Sequence, residues 1–190
     1  MSCCSGKTDT PQRVLSSNLK AERKVVIVGE SGVGKTSIIN LYVKGKFSER
    51  NEVTLGGSVL QAKVPLQAGQ VVTLDVWDTA GQERYRSMIN MFYRNATAAI
   101  IVFDVTNFDS FKQCEFWAKK LLDQEPNCSL FLAANKSDLE EKAVDYDLAK
   151  SFAQANNMKF ITTSAKNNEN VQELFRKVAE AVMRKSVKVS

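Results

Sequence analysis

Val25-Val-Ile-Val28 followed by Gly29-Glu-Ser-Gly-Val-Gly34-Lys35-Thr36 is the stretch on which the fold turns. A β-branched run that stops at a glycine reads as a buried strand entering a turn. The glycines then fit G-x-x-x-x-G-K-[ST], the spacing of a loop whose backbone N–H groups wrap a row of phosphates. Lys35 to Lys44 carries Ile38, Ile39, Tyr42 and Val43 at helical spacing, so the loop opens a helix whose positive end adds to the anion site. The expected phosphate-binding set is therefore Gly29, Ser31, Gly32, Val33, Gly34, Lys35, Thr36 and Ser37. In it Lys35 faces the β- and γ-phosphates and the Thr36 hydroxyl reaches Mg²⁺. The loop calls for a nucleoside triphosphate without saying which.

Outward from this unit the pattern repeats. Gly45 to Gly57 is a polar loop, and Val59–Pro65 and Val71–Trp77 are strand-like runs joined by Leu66-Gln-Ala-Gly-Gln, a hairpin-length connection. Strand and helix then alternate: Ala98–Phe103, Asp109–Asp123, Leu130–Ala134, Asp145–Asn156 and Lys159–Thr163. Val171, Leu174, Phe175, Val178 and Val182 mark the inner face of a last helix. Repeated βα units predict an α/β fold in three layers: a six-stranded, mostly parallel sheet with one antiparallel edge strand and helices on both faces. Residues 1–21 read as a polar arm, 22–183 as one domain and 184–190 as a short basic tail.

The 190 residues suit one core, and 44% hydrophobic with 25% charged is ordinary globular composition. No apolar run approaches a bilayer span, and the polar start lacks the apolar region of a secretory signal. A cytosolic setting is expected, with Cys3, Cys4, Cys114 and Cys128 as free thiols. The absence of histidine excludes a Ser-His-Asp triad, a Cys-His pair and any His-ligated zinc. The net charge of +5 is scattered, so no nucleic-acid partner is expected.

Three further segments carry chemistry. Trp77-Asp78-Thr-Ala-Gly81-Gln82-Glu83 ends a predicted strand. There Asp78 can hold Mg²⁺ through water, Gly81 lets a backbone N–H approach the γ-phosphate, and Gln82 can orient an attacking water. Thr54, in the polar loop, is a second candidate sensor of the γ-phosphate. Asn135-Lys136-Ser-Asp138 follows a strand at the sheet edge where open α/β folds bind ligands. Asp138 can accept both hydrogen bonds of the guanine N1 and amino edge, which adenine does not offer, and Lys136 can lay its stem across the base. Ser164-Ala165-Lys166 follows the last strand and can give a backbone N–H to guanine O6. The bland alternatives are a turn at Asp78 and helix caps at Asn135 and Asp138.

Together these residues resemble the Ras-superfamily small GTPases over about residues 22 to 183, which implies the P-loop NTPase fold. Trp77-Asp-Thr-Ala-Gly-Gln-Glu-Arg-Tyr, Phe92-Tyr-Arg and Asp104-Val-Thr-Asn-x-x-Ser-Phe are similar to Rab signatures, and Phe47-Ser-Glu-x-x-Glu-Val-Thr-Leu-Gly-Gly-Ser-Val-Leu resembles the early-endosomal subgroup. The resemblance implies a GTP/GDP switch with Mg²⁺, monomeric and served by an exchange factor, a GTPase-activating protein and effectors. It implies that Phe47 packs edge-on to guanine, that Thr54 closes on Mg²⁺ when GTP is bound, and that residues 48–58 and 79–93 are the switch segments. It maps the effector-binding aromatic triad onto Val59, Trp77 and Phe92, the first of which is not aromatic here. The expected setting is the cytosolic face of endosomal or other vesicle membranes.

The sequence departs from the usual Rab anchor. Its last residues, Lys185-Ser-Val-Lys-Val-Ser190, hold no cysteine, so prenylation is not expected. Cys3-Cys4 resemble the acylation sites of an N-terminally anchored branch, although residue 2 is Ser rather than the Gly that myristoylation requires. Palmitoylation at Cys3 and Cys4, assisted by Lys7 and Arg13, stands beside free thiols as a reading. The expected chemistry is in-line attack of water on the γ-phosphorus, with Lys35, Mg²⁺ and loop N–H groups stabilising charge and Gln82 orienting the water. No arginine in or beside the phosphate loop is placed to act in cis, so intrinsic turnover should be slow. The alternatives are a guanine-nucleotide-binding module with negligible turnover and an ATP-using P-loop enzyme, the latter disfavoured by Asn135, Lys136 and Asp138.

Overall fold

The computed structural model describes residues 23–48, 57–79 and 92–188. Strand β1 spans Lys24–Val28, and helix α1 spans Lys35–Lys44. Strands β2 (Ser58–Pro65) and β3 (Val71–Asp78) follow, then β4 (Ala98–Asp104), α2 (Phe108–Gln124), β5 (Ser129–Asn135), α3 (Tyr146–Ala155), β6 (Lys159–Thr162) and α4 (Val171–Lys188). The sheet runs β2-β3-β1-β4-β5-β6. Only β2 and β3 pair antiparallel.

Side chains of the central strands alternate between two cores, as the two-residue period of a pleated strand requires. Ala98, Ile100 and Val102 of β4 join Ile38, Ile39, Leu174, Phe175 and Val178 on one face, under α1 and α4. Ala99, Ile101 and Phe103 join Phe111, Trp117, Leu121 and Ala149 on the other, under α2 and α3. Every residue of β4 is buried, which is why its first six, Ala98–Phe103, read as an unbroken apolar run. On the first face Tyr42 stacks on Phe175 with ring centroids 4.0 Å apart, tying α1 to α4.

Local chemistry sets the helix ends. Asn107 caps α2 by accepting the Ser110 N–H, and Asp145 caps α3 by accepting from Asp147 and Leu148. These caps shift the expected starts by one residue. Helix α1 instead begins after Gly34 with no side-chain cap and no acid in its first turn. Its positive end is thus not neutralised by a side chain of its own first turn. The β2–β3 connection is a single 3₁₀ turn at Gln67–Gly69. Helix α4 continues past the expected domain end at 183, with Lys185 Nζ donating to the carbonyls of Thr97 and Asn127. Among the described residues no helix is long and apolar enough to cross a membrane.

From β1 the chain passes through α1 to β2 and β3 on one side, while β4 lies on the other side of β1. Ligands of open α/β sheets sit at such a divide, beyond the carboxyl ends of the strands. The phosphate loop leaves β1 at that point.

Candidate functional site

The loop from Gly29 to Thr36 turns tightly because three of its residues take left-handed or mirror-image backbone angles: Gly29 (φ 141), Gly32 (φ 77) and Gly34 (φ 98). Two of them also have no room for a side chain. A Cβ on Gly29 would lie 2.2 Å from the Val102 carbonyl oxygen, and one on Gly34 would lie 2.3 Å from Asn135 Nδ2. The loop is therefore pressed against β4 and against the end of β5.

Lys35 curls back over this loop, its ammonium donating to the carbonyls of Gly29 and Glu30, both at 2.8 Å. Burial lowers its pKa to about 8, with the charges of Asp78 and Glu30 resisting. A cation held among carbonyls in a low-dielectric loop is poised to favour an anion. Thr36 Oγ1 donates to Asp78 Oδ2 at 2.7 Å, bringing together the two residues expected around Mg²⁺. Asp78 is 1% exposed, and burial raises its pKa against the Thr36 hydrogen bond and the Lys35 charge.

Its Oδ1 is buried with no hydrogen-bond partner among the described residues. Hydroxyl and carboxylate oxygens with spare lone pairs suit Mg²⁺, which takes one or two protein oxygens and fills its shell with phosphate and water. No group of three or more His, Cys, Asp or Glu able to hold a metal occurs among the described residues.

The segments expected to read the base converge on the same edge. Asn135 is 1% exposed, and its Nδ2 donates to Val33 O at 2.8 Å while its Oδ1 accepts from Thr163 Oγ1 at 3.2 Å. One side chain thus joins the phosphate loop to the segments after β5 and β6. Ser164 Oγ donates to Asp138 Oδ1 at 2.5 Å and accepts the Asn167 N–H at 3.0 Å, fixing the Asp138 carboxylate. Neither Asn135 nor Asp138 caps a helix, since α3 begins well downstream behind Asp145. Lys136 adopts φ 64, and its ammonium lies 2.6 Å from Asp104 Oδ2. Burial pushes the Asp104 carboxyl up, but hydrogen bonds from Lys136 and Thr106 outweigh it and leave the pKa below the ordinary value. Ala165 is buried, Lys166 exposed, and Phe47 stands partly exposed beyond α1.

The three residues of the expected effector surface are contiguous. Val59 pairs with Trp77 across the β2–β3 ladder, and Trp77 meets Phe92 edge-on at 6.0 Å. Gly57 makes room for that ring, because a Cβ there would lie 2.4 Å from Phe92. Lys24 Nζ lies 4.2 Å from the Trp77 ring centroid.

Thr54, Gly81, Gln82, Cys3 and Cys4 lie outside the described residues. Cys114 and Cys128 are free and buried, and burial pushes both thiols up to about 12, which makes them poor nucleophiles. Sequence reasoning passed over Thr79, whose hydroxyl donates to Ile27 O at 2.8 Å and ties the end of β3 to β1. It also passed over Asp104 as a site residue. The available signal was an acid ending a wholly apolar strand.

A sequence model of the Ras family matches residues 24–184, a span that includes the phosphate loop, Asp78 and both base-reading segments.

Proposed function

Because the chain belongs to the Ras family, whose members bind GTP and GDP with Mg²⁺, hydrolyse GTP and switch between the two states, we propose that it is a Rab-like switch of vesicle traffic, acting at endosomal membranes. The observation that carries the nucleotide part is the Asn135 bridge. Its 2.8 Å bond to Val33 O sets a phosphate cradle and a guanine-reading loop side by side at a fixed spacing. Signatures around Trp77, Phe92 and Asp104, together with the continuous Val59–Trp77–Phe92 surface, support the Rab assignment.

In this reading Lys35 and the loop N–H groups hold the β- and γ-phosphates, and the helix dipole of α1 adds to them. Thr36 and Asp78 would hold Mg²⁺, which when bound neutralises charge on the phosphate oxygens. Gln82 orients the attacking water, Gly81 offers its N–H to the γ-phosphate, and Thr54 reports the γ-phosphate by closing over it. Asp138, fixed by Ser164, accepts from the guanine edge, Lys136 covers one face, Phe47 meets the ring edge and Ala165 gives its N–H to O6. A partner's arginine speeds turnover, by about 10³–10⁵-fold in comparable systems. Anchoring is through palmitate on Cys3 and Cys4. A clickable palmitate analogue fed to cells tests this, and an unlabelled wild-type chain ends it.

The central test is to identify the co-purifying nucleotide and measure single-turnover hydrolysis. Guanine nucleotide and slow conversion of GTP to GDP are expected. Gln82→Leu should slow the step by about tenfold or more, a part of the roughly 10²–10⁴ that positioned acid–base groups contribute. ATP in the pocket, or hydrolysis unchanged in Gln82→Leu, refutes the respective assignment.

A further inference from the structure

We infer that Asp104 is a positioning residue for Lys136, holding the lysine stem across the base and so setting how slowly nucleotide leaves; the inference rests on the base-covering role given to Lys136 above. Lys136 follows β5 in a left-handed turn (φ 64) closed by the Leu139 N–H donating to Lys136 O at 3.1 Å. That turn fixes its backbone. It does not fix a flexible four-carbon stem, which otherwise samples many rotamers. Asp104 supplies the missing constraint through the 2.6 Å pair between Lys136 Nζ and its Oδ2.

The carboxylate is itself held from several directions. Asp104 is the Cα partner of Asn135 across the β4–β5 ladder, one residue before Lys136. Its Oδ1 accepts the Thr106 N–H at 2.9 Å and the Thr106 hydroxyl at 2.8 Å. Its own N–H donates to Ser110 Oγ at 3.0 Å, anchoring it to the first turn of α2. Side-chain exposure is 11% for Asp104 against 36% for Lys136, so the acid is shielded while the lysine keeps an open flank. A fixed, shielded partner makes this pair stronger than a mobile surface pair. A stem ordered in advance costs nucleotide less on arrival, and departure must break a face that is already formed.

The test uses the full chain loaded with N-methylanthraniloyl-GDP and chased with excess GDP, read as the release rate. Asp104→Asn keeps the side-chain size and should speed release about five- to tenfold, in the range of coupled neighbouring pairs. Lys136→Met should release at least as fast. In the Lys136→Met background Asp104→Asn should add less than about twofold, because the partner it positions is gone. Thr106→Val removes one of the two bonds to Oδ1 and keeps the other. It should give a smaller acceleration that also vanishes with Lys136→Met, and it serves as the test if Asp104→Asn does not fold.

Wild-type release from Asp104→Asn beside fast release from Lys136→Met overturns the inference. Equal acceleration in both backgrounds also overturns it, since that marks a general loosening of the turn after β4. Wild-type release from Lys136→Met alone refutes the base-covering role itself, an outcome distinct from the other two.

Discussion

Lys35 makes nucleotide affinity depend on pH in a calculable way. Burial holds its pKa near 8 instead of the ordinary 10.5, while a phosphate in the loop would stabilise the charged form and raise it again. Binding above neutrality therefore takes up a proton. With a ligand-free pKa of about 8, uptake is about 0.1 proton at pH 7 and about 0.75 at pH 8.5. Affinity is fully present below about pH 7, is about halved at pH 8, and falls about fourfold by pH 8.5 and about tenfold by pH 9. Isothermal titration of GDP in two buffers of different ionisation heat reads both quantities. Lys35→Arg, which does not titrate in this range, is the blank for the nucleotide's own protons. No proton uptake by the wild type at pH 8.5 would refute the reasoning.

The same shift has a sign for stability. The folded pKa lies below the unfolded one, so the penalty of roughly 3 kcal/mol is present below about pH 8 and disappears as pH rises towards 10.5. From this group alone the ligand-free fold gains stability with pH across that window.

Other outcomes follow from the packing. Gly29→Ala should lower stability by more than about 3 kcal/mol, because its Cβ would meet backbone at 2.2 Å as well as a φ of 141. Gly32→Ala, with φ 77 and nothing within 4 Å, should cost only about 1 kcal/mol; thermal melting of the pair checks the contrast. Asn135→Ala strips partners from the buried Val33 carbonyl and Thr163 hydroxyl and should cost about 2–4 kcal/mol, with faster GDP release; a near-wild-type melt and release rate would contradict it. Tyr93→Phe should be neutral or stabilising by up to about 1 kcal/mol in chemical denaturation, since the Tyr93 hydroxyl is buried without a partner among the described residues.

The elements were legible in the sequence because their signals are local. The β-branched run at 25–28 and the apolar stripe of α4 each declare themselves within a few residues, whereas the caps at Asn107 and Asp145 were not read and moved two helix starts by a residue. The phosphate loop was legible for the same reason. Strand order was not, because β1 lies between β3 and β4 through pairings made only when distant segments meet. The long-range side-chain contacts were equally hidden. That Asn135 spans to Val33 and Thr163, or that Asp104 meets Lys136, depends on the β4–β5 register and on a left-handed turn at a lysine. Lysine carries no propensity that would announce that turn.

The 2.3 Å that would separate a Cβ on Gly34 from Asn135 Nδ2 has a consequence for descent as well as for packing. Position 34 lies in the loop after β1 and position 135 at the end of β5, yet the two share one small volume. A lineage that placed alanine at 34 would have to shorten or turn aside the residue at 135 in the same step, and would lose the bridge to Val33 by doing so. The two positions therefore form one packing unit, in which a change at either is felt at the other.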